Sequence, residues 1–252
     1  MSTASTSPSV ERESVLLGQT VVVIGGSAGI GLETARRARA AGAKVILTAR
    51  NPDRLKNAAS EVDALSSAVF DATNPVALER FFRELPVIDH VMVTAGRPFY
   101  ARLLDMDFTK VRDLIGQHLV QPLHVARNAM NKVRPGGTLI FMGGTGARRP
   151  AIGLSIASAM TAALPALTAC LALEIAPVRV NLIAAGFVDT PLSAELLGDQ
   201  LENRRNQLRT TLPIGRVVGP VDVAALAVHI MTNTALTGAT YDIDGGQQFV
   251  AA

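Results

Sequence analysis

The 252-residue chain has no tryptophan, one cysteine, two tyrosines and only four lysines. A lone Cys170 excludes an intrachain disulfide and a cysteine-rich zinc site, and it points to a reducing compartment. Buried core is the ordinary reading of such a thiol. Eight phenylalanines and two tyrosines do not interleave with any basic run, so a formal charge of +3 does not signal nucleic-acid binding. Charged residues are scarce at 18% and hydrophobic ones reach 48%, which excludes a disordered, highly charged chain. No His/Asp/Glu cluster has metal-ligand spacing, so no metal is expected. The most apolar helical pattern, 157–176, contains Pro165 and Glu174 and reads as a core helix, not a membrane span. Residues 1–15 are rich in Ser and Thr and lack a secretory apolar stretch; they read as a disordered leader on a cytoplasmic protein.

What is present is alternation. Short β-branched runs at 20–24, 45–48, 68–70, 90–94, 138–142, 179–183 and 239–243 are separated by helical patterns at 32–41, 75–84, 108–133, 157–176 and 221–231. The strand-like runs are nearly continuous apolar segments, as parallel strands covered on both faces require. Gly42 stops the first helix, and Pro220 opens the last at a favoured first-turn position. Repeated β–α units with right-handed crossovers predict a single α/β domain over 16–252 with a doubly wound parallel sheet of about seven strands. The polar, proline-bounded interval 189–213 is expected to form a substrate lid.

The first strand runs directly into Gly25-Gly26-Ser27-Ala28-Gly29-Ile30-Gly31, and a helical pattern starts at once. Glycines there allow a tight turn and leave the backbone bare where a pyrophosphate approaches the helix N-terminus. The strand before and helix after supply the context that such a motif needs. Ser27 and Ile30 fall inside the turn and belong to the expected dinucleotide site.

Gly25-x-x-x-Gly29-x-Gly31 resembles the glycine motif of the short-chain dehydrogenase/reductase family, a Rossmann-type fold, and the resemblance extends from about Leu17 to Phe249. It implies that Asp71, with Ala72 beside it, lies at the adenine, and that Thr94-Ala95-Gly96 stands for the family's Asn-Ala-Gly turn. Ala185-Gly186-Phe187-Val188-Asp189-Thr190 resembles the family's Pro-Gly turn, in which Val188 and Thr190 contact the nicotinamide carboxamide. Asp244-Gly245-Gly246 resembles its C-terminal signature. Enzymes of this type that use NAD place a carboxylate at the end of the second strand. Here Ala49 holds that position and Arg50 follows, a residue suited to clamp the extra phosphate of NADP(H).

The resemblance also implies a Tyr-x-x-x-Lys pair, a Ser thirteen residues earlier and an Asn on the long preceding helix. In the matching register this chain has Ala157 for Tyr, Thr161 for Lys, Gly144 for Ser with Thr145 beside it, and His118 for Asn. A shift of register does not restore the pair. Tyr100 and Tyr241 are followed four residues later by Leu104 and Gly245, and the lysines (44, 56, 110, 132) all precede the register of the pair at 157–161. A positioned acid or base contributes about 10²–10⁴-fold to rate, so ordinary ketone reduction is expected to suffer while cofactor binding survives. Three readings stay open: a reductase using another proton donor or an already protonated imine-like substrate, a non-catalytic NADPH-binding protein, and a scaffold with a vestigial nucleotide site. His118 is the sharpest candidate donor, because an imidazole titrates near neutrality. Thr145, Ser155 and Ser158 are candidate hydrogen-bonding groups for a small-molecule substrate, Tyr100 could reach the pocket, and Arg148-Arg149 could attract an acidic one. The family resemblance further implies a homodimer or homotetramer.

Overall fold

The computed structural model describes residues 15–250, so the expected leader lies almost wholly outside it. Seven strands form one parallel sheet in the order β3-β2-β1-β4-β5-β6-β7. They are β1 Thr20–Ile24, β2 Lys44–Ala49, β3 Ser66–Val69, β4 Ile88–Val93, β5 Val133–Gly144, β6 Arg179–Ala185 and β7 Thr240–Ile243. The helices are α1 Gly29–Ala40, α2 Pro52–Glu61, α3 Pro75–Glu84, α4 Phe108–Ile115, α5 Gln121–Ala129, α6 Ser155–Glu174, α7 Pro191–Leu197, α8 Leu201–Thr211 and α9 Pro220–Thr232.

The unbroken apolar strands are explained by two cores, one on each face. In β1, Val21 and Val23 pack with α1, α2 and α9, while Val22 and Ile24 pack with α3, α5 and α6. Successive side chains point to opposite faces, so both sets must be apolar. The chain reverses its direction of travel across the sheet between β1 and β4. That is where a doubly wound sheet opens a crevice at its strand C-termini.

Three expectations change. The single helix expected over 108–133 is divided into α4, a π-helical turn at Gly116–Val120 and α5, and β5 begins at Val133. Pro122 has no N–H for the carbonyl of His118, so the regular bond is lost there and the turn widens. The interval 189–213 is largely helical, built from α7 and α8. Cys170 is exposed on α6, not buried, because the helix turns Leu164, Thr168, Leu171 and Ala172 toward the sheet instead. α6 has the length and apolarity of a membrane span; 22% of that window is buried, with Leu164, Leu171 and Ala172 joining the core.

Toward the end of the strands away from the crevice, β4 buries His90 to 3% exposure. Its Nε2 donates to Gln19 Oε1 at 2.6 Å, and Nδ1 has no partner. Burial, with the Arg179 charge nearby, pushes its pKa down to about 3. The unfolded chain takes up a proton near pH 6.5 and the folded chain does not. Stability from this residue is therefore complete above pH 6.5 and is lost as pH falls toward 3, by about 1 kcal/mol per unit. Denaturant unfolding of His90→Asn between pH 6.5 and 4.5 should show a slope shallower by that amount; equal slopes would contradict the assignment.

Candidate active site

The glycine turn between β1 and α1 is a cradle with no space for side chains. A Cβ on Gly31 would lie 2.3 Å from the Gly25 carbonyl oxygen, and one on Gly25 would lie 2.7 Å from the Ala95 nitrogen. Gly29 adopts φ +54, and the Thr190 methyl stands 3.5 Å from where its Cβ would be. Thr94, in the Asn position of the resemblance, donates its hydroxyl to Gly25 O at 3.0 Å and so ties β4 to the turn. These close approaches bring the start of α1, with its unpaired N–H groups, against the crevice.

Ser27 and Arg50 line a small recess together with Asn51, Pro52 and Arg54. The sequence reading missed α2 and with it Arg54. Its signal was there: Asn51 accepts from the Arg54 N–H at 2.8 Å and Pro52 opens the helix. Two guanidinium groups, a hydroxyl and a helix N-terminus surround this recess, the donor set that a phosphate monoester needs. Ala49 is 8% exposed beside it and brings no carboxylate. Asp71 does not line the recess. It accepts from the N–H and hydroxyl of Thr73 and lies 4.0 Å from Arg50, while Ala72 is buried in the core.

The main cleft has a volume of about 830 Å³ and collects the rest of the predicted site. Ile30, Ala95, Gly96, His118, Gly144, Thr145, Ala157, Thr161, Gly186, Val188 and Thr190 all line it. Ser155 does not: it is the exposed first residue of α6, and Ser158, one turn on, takes its place at the wall. The Gly186 turn is held by the C-terminal signature. Gln247 accepts from the Phe187 N–H at 2.7 Å, and Asp244 accepts from the N–H groups of Gly246 and Gln248. A Cβ at Gly186 would strike Gln247 Oε1 at 2.4 Å.

On the cleft wall beside Ala157, two hydroxyls are turned into hydrogen-bond acceptors. Thr161 donates its hydroxyl to Ser158 O at 3.0 Å, and Ser158 donates to Gly146 O at 3.0 Å. Each therefore offers only lone pairs to a ligand. His118 sits on the π-helical turn with Nε2 3.4 Å from Arg97 O. A carbonyl can only accept, so Nε2 carries the hydrogen and Nδ1 keeps its lone pair. Burial holds the imidazole below its ordinary pKa, opposed by the bond to the Arg97 backbone, so the neutral form prevails near pH 7. Gly144 leaves room only for its neighbour: its Cβ would meet the Thr161 methyl at 3.3 Å. Among the described residues lining the cleft there is no lysine, and the one phenol is Tyr100, 55% exposed at the rim.

A crevice at the switch point of a parallel sheet, a glycine cradle and an adjoining phosphate recess define a dinucleotide-binding oxidoreductase. The family model described as "Enoyl-(Acyl carrier protein) reductase" matches residues 25–248, and the chain belongs to the short-chain dehydrogenase/reductase family. It is 29% identical over 249 residues to "Short-chain dehydrogenase/reductase ATR9" of Stachybotrys chlorohalonatus, covering 91% of this chain and 96% of that protein. Among solved structures, BdcA in complex with NADPH superposes with a TM-score of 0.83 at 26% identity, covering 92% and 95% of the two chains. The MalC reductase/Diels-Alderase from Malbranchea aurantiaca shares the fold, with a TM-score of 0.87 at 24% identity over 95% and 100%.

Proposed function

We propose that the chain is an NADPH-dependent reductase with a non-standard active site, acting on a small carbonyl- or imine-like substrate and preferring the imine. The observation that carries this reading is the cleft wall at Gly144, Ala157 and Thr161, where the family resemblance expects Ser, Tyr and Lys and the local hydrogen bonds leave acceptors. When bound, NADPH supplies a hydride. A ketone reduced by hydride becomes an alkoxide and needs a proton donor. An iminium carbon accepts the hydride while the C=N π pair moves to nitrogen and cancels its charge, so no proton transfer is required. Neutral His118 accepts a hydrogen bond from the iminium N–H, and Thr161 and Ser158 offer further lone pairs.

Gly25, Gly29 and Gly31 give the pyrophosphate its bare backbone, and Ser27, Arg50 and Arg54 take the 2′-phosphate. The NADPH complex of BdcA supports this choice. NADPH should bind at least tenfold tighter than NADH, and Ala49→Asp with Arg50→Ala should reverse the order. Calorimetric titration showing equal affinities in the unmodified protein would refute the phosphate assignment. The segment 189–213 acts as the substrate cover: Leu192, Leu196 and Leu197 of α7 and Arg204 of α8 line the cleft. Exposed Leu123, Met130 and Leu173 on and beside α5 and α6 support the homodimer or homotetramer that the family implies. The loss of Ser, Tyr and Lys from the wall also fits a second reading, a protein that binds NADPH without consuming it; turnover with an imine separates the two.

A further inference from the structure

The cleft carries a pair of cations that the reductase reading does not use. Arg149 follows β5 and Arg204 belongs to α8; both line the cleft. Carboxylates nearby are already engaged by other arginines. Asp189 is held by Arg205 at 2.8 Å, Glu195 by Arg97 at 2.9 Å, and Glu202 by Arg209 at 2.8 Å. Arg148, adjacent in sequence, turns away to Asp242 and Gln248. Among the described residues neither Arg149 nor Arg204 has a carboxylate within 4.0 Å. Arg204 keeps only Gln207 Oε1, at 2.6 Å, and its guanidinium lies 6.0 Å from the Phe187 ring centroid.

Two like charges brought together in a half-buried setting repel each other, and an anion between them relieves both. The repulsion is felt: burial and the Arg149 charge together hold Arg204 below the ordinary guanidinium range. Phe187 lies in the turn that the family resemblance assigns to the nicotinamide, and neither Arg149 nor Arg204 lines the phosphate recess, so the charge belongs to the reaction end. We propose that Arg149 and Arg204 form a carboxylate-binding clamp, and that the substrate is an organic acid whose carboxylate docks there while its electrophilic carbon faces Ala157 and Thr161. This rests on the proposed reductase for the second half of the statement only; the clamp itself is a binding site. Planar guanidinium pairs favour a carboxylate by charge-assisted, bidentate bonds, and Phe187 offers an apolar face to the substrate's carbon skeleton.

The probes are benzoate and benzamide, equal in shape and different in charge, titrated calorimetrically into the full chain with and without NADPH. Benzoate should bind at least tenfold tighter than benzamide, and its affinity should fall with added salt while that of benzamide does not. Arg149→Gln with Arg204→Gln should remove the preference and leave NADPH affinity unchanged. Equal binding of the two probes in the unmodified chain overturns the clamp, and the salt test needs no variant to fold. A loss of NADPH affinity in the double variant also overturns it, assigning the arginines to the cofactor. Benzoate selectivity in a protein that fails to oxidise NADPH with every electrophile offered supports the clamp and rejects the reductase. NADPH oxidation with no discrimination between acid and amide does the reverse.

Discussion

Replacing His118 by alanine is expected to lower kcat/KM for an imine by about tenfold or more while leaving NADPH affinity within a factor of two. A hydrogen bond to a charged partner is worth about 1.5–3 kcal/mol, or roughly ten- to two-hundredfold. Hydride transfer cancels the iminium charge and weakens that bond, so its loss is felt in capture of the iminium, in kcat/KM, and not in the hydride step. The imidazole lines the cleft from the π-helical turn, and burial keeps it neutral. Its role is to accept, so activity should persist above neutrality as far as the imidazole is concerned. It should fall on acidification below the imidazole's depressed pKa, where protonation removes the lone pair. Steady-state kinetics of His118→Ala and His118→Gln across pH check this. An unchanged kcat/KM in the alanine variant would reduce the histidine to packing.

The largest stability effect is expected at Arg179, which begins β6 at the end of the strands away from the cleft. The residue is 5% exposed, and its guanidinium donates to five carbonyls: Gly136, Ile230, Met231, Asn233 and Leu236, at 2.8–3.1 Å. Two of these belong to the last turn of α9, where orphan carbonyls and the negative end of the helix dipole gather. One buried cation thus caps the helix, closes the loop after it and anchors both to β5 and β6. Arg179→Met fills part of the space but leaves these carbonyls without a donor, at a cost of about 3–5 kcal/mol. Denaturant unfolding should show that loss, and NADPH affinity should be retained under conditions where the variant remains folded. A change below about 1 kcal/mol would mean that water replaces the guanidinium.

Most of the sheet was legible because burial on both faces leaves so few polar residues in its strands. Thr20–Ile24 is named to the residue by its pattern, and the helix Pro75–Glu84 likewise by Asn74 and Pro75 at its start. The cofactor end was legible because bare backbone demands glycine at Gly25, Gly29 and Gly31, whatever surrounds it. The π-helical turn was not. Pro122 alone does not say whether a helix ends, kinks or widens, and the outcome depends on how Gln117 and His118 meet Gly96 and Arg97. Ser155 was placed on the wall by sequence proximity; it shares the i,i+3 row of Ser158, Thr161 and Leu164 but sits one turn earlier, at the exposed start of α6 beyond the cleft. Arg204 was invisible for a different reason. Its significance comes from lying near Arg149, fifty-five positions distant, and no local spacing encodes that proximity. Cys170 was misplaced because small apolar neighbours in α6 look alike on both faces of a helix.

The central claim is that this cleft reduces a substrate that needs no proton from the protein. The most direct measurement is NADPH absorbance during turnover of a matched pair, a cyclic imine and the ketone of the same carbon skeleton, between pH 6 and pH 9. The account predicts that the imine is reduced at least about 10²-fold faster, the scale of a missing general acid, and that its rate rises as pH falls through the iminium pKa. Equal rates for imine and ketone, or no NADPH consumption with any imine while NADPH still binds, would contradict it.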